Sequence, residues 1–188
     1  MMMLKKLLFL TLLLTGLAHT ENSVGLDINN NDVELLASIN INTLTDYANG
    51  TTYLLDVNYL HSDGDNMLQV GFSGQNSLQG IEGLTFSFGL KGVLASDFLA
   101  FPLMVKGNYY LPLNASIPTT SLALTFAFAP KVLSFRDAER YLEFRVEADM
   151  EVISNIHVFA GYRNIDTDYD RYDKTFNNSF YLGMKLSF

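Results

Sequence analysis

Across residues 141–150 the side chains alternate without a break. Leu142, Phe144, Val146, Ala148 and Met150 take one side, and Tyr141, Glu143, Arg145, Glu147 and Asp149 take the other. Successive side chains of a strand point to opposite faces, so this segment builds one apolar wall and one highly charged wall. A helix would spread the same charges around its circumference.

The period of two keeps returning along the chain. It is read at 33–41, 53–59, a shorter run marked by Leu68, Val70 and Phe72, then 84–91, 103–111, 122–128, 156–162 and 180–188. Many of these runs have the ~9–11 residues of a tilted transmembrane strand. Turn-forming residues separate them at 61–66, 74–77 and 113–118, and longer polar connections at 131–139 and 166–178. The spacing predicts an all-β, antiparallel up-and-down barrel in a single domain covering residues 19–188. A short first strand at 24–28, turned by 29–32, brings the total to ten. Merging short segments gives eight. An even number places both chain ends on the periplasmic side, and ten is preferred.

The first 18 residues read as a signal peptide. Lys5 and Lys6 form a basic start, residues 7–14 an apolar run, and Gly16-Leu17-Ala18 a cleavage site, with Thr20 as the alternative end. The apolar stretch is shorter than the ~20 residues a membrane helix requires. Its removal takes the net charge from -8 to -10 through the loss of Lys5 and Lys6. So acidic a chain is a poor nucleic-acid ligand, because phosphates demand a basic surface. There are no cysteines, which excludes disulfides, thiolate zinc sites and cysteine nucleophiles. No metal, cofactor or catalytic set is expected.

Which way the apolar face points decides between a soluble barrel and a membrane barrel. The polar face carries Gly71, Gly89, Gly161 and Gly183 beside bulky partners such as Phe159 and Tyr181, as a narrow interior needs. Aromatic residues gather near strand ends, at Tyr53, Tyr59, Phe101, Tyr109, Tyr110, Tyr162 and Phe188, as interfacial girdles do. Phe180, Leu182, Met184, Leu186 and Phe188 alternate up to a terminal Phe, the pattern of an outer-membrane assembly signal. Turning charged side chains to lipid would cost up to ~2–4 kcal/mol for a basic group at the midplane. The charges therefore face the lumen, the rim or water. Asp56, Lys91, Lys106, Glu143, Arg145, Glu147, Asp149, His157 and Arg163 form the expected lumenal charge network.

Residues 129–135 (APKVLSF), 140–143 (RYLE) and 161–165 (Gly161, Tyr162, Arg163, Asn164 and Ile165) resemble the YfaZ family of small bacterial outer-membrane proteins. Tyr59-Leu60-His61 and Asp27-Ile28-Asn29 are also similar to it. The resemblance spans the mature chain and implies a signal peptide, an outer-membrane barrel and no established enzymatic activity. It brings no catalytic residues.

Two functional classes follow. One is a structural or surface-interacting barrel with a lumen largely filled by side chains; the other is a narrow porin-like channel for small polar solutes. A rim hydrolase or a soluble periplasmic barrel ranks below both. The expected partners are outer-membrane lipids, lipopolysaccharide and, during biogenesis, the assembly machinery, with the barrel monomeric. His157 is the one histidine inside a predicted strand and sits near the periplasmic turn at Ser154-Asn155, on the wrong side for rim chemistry. The run 166–170 is similar to a calcium loop, but position six is Arg171 and position twelve Asn177, so a solvated loop is expected. The glycosylation-like tripeptides at Asn49, Asn114 and Asn177 are read as turn residues.

Overall fold

Asn29 starts the first hairpin. Its Oδ1 accepts the amides of Asn31 at 2.8 Å and Asp32 at 2.9 Å, joining β1 (Ser23–Ile28) to β2 (Asp32–Asn40). This side-chain mimic of a turn is what Asn supplies at such positions. In the next hairpin, β3 (Thr52–Ser62) meets β4 (Asp65–Ser77) through Asp63 (φ 47°) and Gly64 (φ 89°). Two consecutive positive φ values define the tight turn whose twist matches a β-ribbon, and glycine adopts the second without strain.

The computed structural model describes residues 22–42, 50–113 and 117–188. The expected signal peptide and its cleavage site, together with Asn49 and Asn114, lie outside the described residues. The chain continues through β5 (Leu84–Ala95), β6 (Phe98–Ala100), β7 (Leu103–Tyr110), β8 (Thr120–Ala129), a 3-10 turn (Lys131–Leu133), β9 (Ser134–Arg136), β10 (Ala138–Ile153), β11 (Ile156–Tyr169) and β12 (Tyr172–Ser187).

Ten of these strands form the wall, in the order β1-β2-β3-β4-β5-β7-β8-β10-β11-β12, every neighbouring pair antiparallel. The wall closes where β1 meets β12, from Ser23 opposite Ser187 to Ile28 opposite Leu182. Closure leaves no sheet edge, which a membrane-spanning sheet requires. The two short strands β6 and β9 pair with each other above the wall, and β6 also continues the β5 ladder. Asn22 and Phe188 lie together, the Phe188 amide donating to the Asn22 carbonyl at 2.9 Å. That end is the periplasmic one in an outer-membrane barrel.

The alternation sorts the side chains as the sequence implies. Phe180 (77% exposed), Phe88 (69%) and Leu103 (62%) stand on the outside, in company with Leu124, Phe126, Val146, Leu182 and Met184. In water this belt would be an aggregation surface; around a closed barrel it is the lipid-facing band. Tyr59 and Tyr162 sit in the belt with their hydroxyls donating to Asn66 and Asn178, each at 2.8 Å. Leu124→Arg, in the middle of β8, is expected to destabilise the barrel by ~2–4 kcal/mol in bilayers. Urea titration of vesicle-embedded protein would read it, whereas a soluble barrel would lose less than ~0.5 kcal/mol at so exposed a site.

Two expected loops are in fact strand. β4 runs on through 74–77, and the turn falls at 78–83. Residues 166–178 belong almost wholly to β11 and β12, which pair as far as Tyr169 opposite Tyr172 and leave a turn of only Asp170 and Arg171. Their polar sequence reflects a hairpin rising beyond the bilayer, where both faces meet water or the barrel mouth. Asn177 is a buried strand residue, 4% exposed, and not a turn residue. Asp166, Asp168 and Asp170 do not converge as calcium ligands would. They accept from Thr175, Arg140 and Lys131 respectively, while Thr167 and Tyr169 between them point inward. No group of three potential metal ligands occurs among the described residues.

Outside the bilayer, Lys131 reaches Asp170, linking the 3-10 turn to the β11–β12 hairpin. That hydrogen bond holds the Asp170 carboxyl below its ordinary range and lifts the Lys131 ammonium above its own. The link is therefore complete at neutral pH; it is lost as pH falls through the lowered Asp170 value or rises through the raised Lys131 value.

Candidate functional site: the occluded lumen

The β1–β2 register sets two acids, Asp27 and Glu34, directly opposite each other on the inner face. Like charges so placed repel and require a cation. Arg163 on β11 supplies it: its Nη1 lies 3.5 Å from Asp27 Oδ1 and also bonds Glu34, and all three side chains are fully buried. Arg145 on β10 then takes both Glu34 oxygens, at 2.8 and 2.9 Å, as a planar fork. On its other side Arg145 lies 3.5 Å from Glu143, whose Oε2 accepts from Lys91 on β5 at 2.7 Å and from Tyr141 at 2.9 Å. Gln69 on β4 completes this arm by donating to the Tyr141 hydroxyl at 2.9 Å.

These bonds are chords across the barrel. β2 and β10 stand four strands apart around the wall of ten, as do β4 and β10, and no pair can be more than five apart. At the level of this network the lumen is crossed from wall to wall. The Tyr181 ring packs beneath it, with the Arg163 and Arg145 guanidinium carbons 5.1 and 5.7 Å from its centre and its hydroxyl donating to Glu147 at 2.9 Å. Arg163 also donates to Asn177 at 3.0 Å, and Asn177 in turn donates to Asp32 at 2.8 Å.

Above the ions, towards the extracellular end, the interior turns apolar. Leu60, Met67, Val93, Phe98, Ile165 and Phe176 are buried inside the wall around Tyr141. Phe98 stacks edge-on against Tyr169 at 5.2 Å, and β6 thereby folds its own ring into the mouth. The lumen, expected to be polar and largely filled by side chains, is ionic at mid-height and apolar above it.

Below the ions the lumen is open to the periplasmic side. Two adjoining cavities, of about 200 and 370 Å³, share Lys106, Glu147 and Lys185 among their walls. The nine residues of the expected network thus divide by height. Lys91, Glu143, Arg145 and Arg163 belong to the crossing cluster. Asp149, beside the lower cavity, joins His157 (2.7 Å) and Lys185 (2.8 Å). Among the described residues Glu147 bonds only Tyr181, while Asp56 and Lys106 line the cavity without an ion pair. His157 Nδ1 is oriented by a carboxylate, but no serine hydroxyl bonds its imidazole among the described residues. His61 Nδ1 faces Asn66 at 2.8 Å.

Asp27, Glu34, Gln69 and Tyr141 were not among the expected network residues. Asp27 and Glu34 were within reach of the sequence, since the turn at 29–32 fixes their register and pairs two acids. Gln69 was not, because its partners lie 22 and 72 residues away and only closure of the barrel brings them together.

A closed antiparallel barrel with an apolar exterior and an ionic interior defines an integral β-barrel protein of the outer membrane. Residues 3–188 match the model of the family described as YfaZ precursor, and the chain belongs to that family. No curated protein matches it. Among solved structures it is similar to a bacterial polysaccharide outer membrane secretin, at 12% identity and TM-score 0.50, covering 88% of this chain and 57% of that one. A KdgM porin shares 14% identity at TM-score 0.46, with 89% and 98% of the two chains covered. A NanC porin shares 10% at 0.41, with the same coverage. At such identities the likeness is one of fold.

Proposed function

We propose that this protein is a non-conducting outer-membrane barrel whose lumen serves the rigidity of the wall. Its contacts with partners and with lipopolysaccharide are made by the extracellular hairpins. The observation that carries this reading is the set of charge-assisted chords between β2 and β10, β5 and β10, and β11 and β1. An ion passing that level would have to break several buried ion pairs, each member of which becomes an uncompensated charge once its partner leaves. The reading assigns no catalytic role: no hydroxyl bonds the His157 imidazole among the described residues, and Lys185 shares the Asp149 carboxylate.

Liposome swelling tests it. Vesicles carrying the assembled barrel should swell in small sugars or amino acids no faster than empty vesicles, and solute-dependent swelling would overturn the reading in favour of a channel. The channel is the second reading, favoured by the open periplasmic half of the lumen. Assembly is expected to depend on the outward row that ends at Phe188. Deleting Phe188 should lower the amount of heat-modifiable protein recovered from outer membranes without changing the amount exported.

A further inference from the structure

The cavity of about 200 Å³ beneath the ion cluster is lined by ionised side chains that are nearly all engaged. Lys91 holds Glu143, Arg145 holds Glu34, Lys185 holds Asp149, and Glu147 accepts the Tyr181 hydroxyl. Two remain. Lys106 on β7 and Asp56 on β3 have neither an ion pair nor a hydrogen bond among the described residues, and none joins them to each other. Glu147 has a hydrogen bond but no ion pair, so Lys106 and Asp56 are the cation and the anion that face this small space with neither, among the described residues.

The wall between them is made for a polar occupant. β4 and β5 separate the two residues and contribute Ser73 and Ser87, 1% and 3% exposed, while Thr125 stands directly opposite Lys106 in the β7–β8 register at 8%. Neither Ser73 nor Thr125 has a hydrogen-bond partner within the described residues, although buried hydroxyls ordinarily have one. Gly71, opposite Asp56, puts no side chain between the Asp56 carboxylate and the Lys91 stem: a Cβ there would lie 3.9 Å from Asp56 Oδ2 and 3.5 Å from Lys91 Cγ.

We propose that this chamber is a binding site for a small zwitterion of the amino-acid or dipeptide class, entering from the periplasmic side. Lys106 receives the carboxylate, Asp56 the ammonium, and the Ser73 and Thr125 hydroxyls the remaining polar atoms. A simple anion would leave Asp56 unpaired, and a simple cation would leave Lys106 unpaired. At ~30 Å³ per water the space holds about seven waters, which matches an occupant of roughly six to eleven non-hydrogen atoms. The site lies below the crossing cluster, so the proposal stands whether or not the lumen conducts.

Saturation-transfer NMR on the full barrel in detergent micelles tests it, with L-alanine and L-alanyl-L-alanine as probes. Propionate and ethylammonium serve as the separated halves. At least one zwitterion should receive saturation at millimolar concentration, and each half at least tenfold less. Lys106→Met and Asp56→Asn should each abolish the transfer while keeping the heat-modifiable gel shift of the folded barrel. Lys131→Met, far from the chamber, should leave it intact. Transfer to neither zwitterion, equal transfer to propionate, or transfer that survives both substitutions would overturn the proposal.

Discussion

Arg163→Met is expected to destabilise the barrel by ~3–5 kcal/mol, the cost of leaving buried charge unpaired. The side chain is fully buried, packs on Tyr181, and is the only cation bonded to Asp27 among the described residues. Methionine fills much of the volume but leaves Asp27 facing Glu34 across β1 and β2, with Arg145 able to answer only Glu34. Adding Asp27→Asn should recover a large part of the loss, because it removes the acid that has lost its partner. Urea titration of the folded fraction in vesicles, read by the gel shift, measures both. If the single variant were as stable as wild type, the cluster would not be the buried network described here.

Gly183→Ala carries the second large effect. A Cβ at Gly183 would fall 2.6 Å from the Leu26 carbonyl oxygen and would also overlap the Phe159 ring. The ring could shift, but the carbonyl belongs to the β1–β12 ladder that closes the barrel and cannot move without opening it. Gly161 is constrained in the same way, with the Tyr181 ring carbon Cζ and the Val146 carbonyl each 2.5 Å from an added Cβ. Overpacking of this kind costs ~1–3 kcal/mol and more where backbone is the obstacle. Gly71→Ala is the control. Its nearest neighbour would be the Lys91 stem at 3.5 Å, an ordinary contact, so the change should be neutral or stabilising by up to ~1 kcal/mol. The same vesicle titration separates the two classes of glycine. Equal behaviour of Gly183→Ala and Gly71→Ala would remove the argument that small residues on the inner wall make room for specific rings.

The two residues show why much of this fold is legible in the chain. Gly183 and Phe159 are both on polar-face positions, and pairing β11 with β12 through a short hairpin brings them side by side. Alternation likewise identifies the ten wall strands and the outward row from Phe180 to Phe188. What alternation does not contain is height. Leu60, Met67, Val93 and Ile165 occupy the same inward phase as Asp56, Gln69, Lys91 and Arg163, yet they form an apolar cap rather than a polar lumen. Period two assigns a face; only the stagger of the closed sheet assigns a level. The hairpin at 166–178 was obscured for a related reason, since a strand that rises beyond the membrane no longer needs an apolar face. Phe98 was hidden as well, because a three-residue strand folded into the mouth leaves no periodic trace.

The central claim is that side chains close the lumen at mid-height. Single-channel recording of the purified wild-type barrel in planar bilayers tests it most directly. The expected record is flat, with insertion verified by the folded gel band recovered from the same preparation, and Glu34→Ala combined with Arg145→Ala should introduce discrete current steps. Reproducible open states of uniform conductance from the wild-type protein would contradict it.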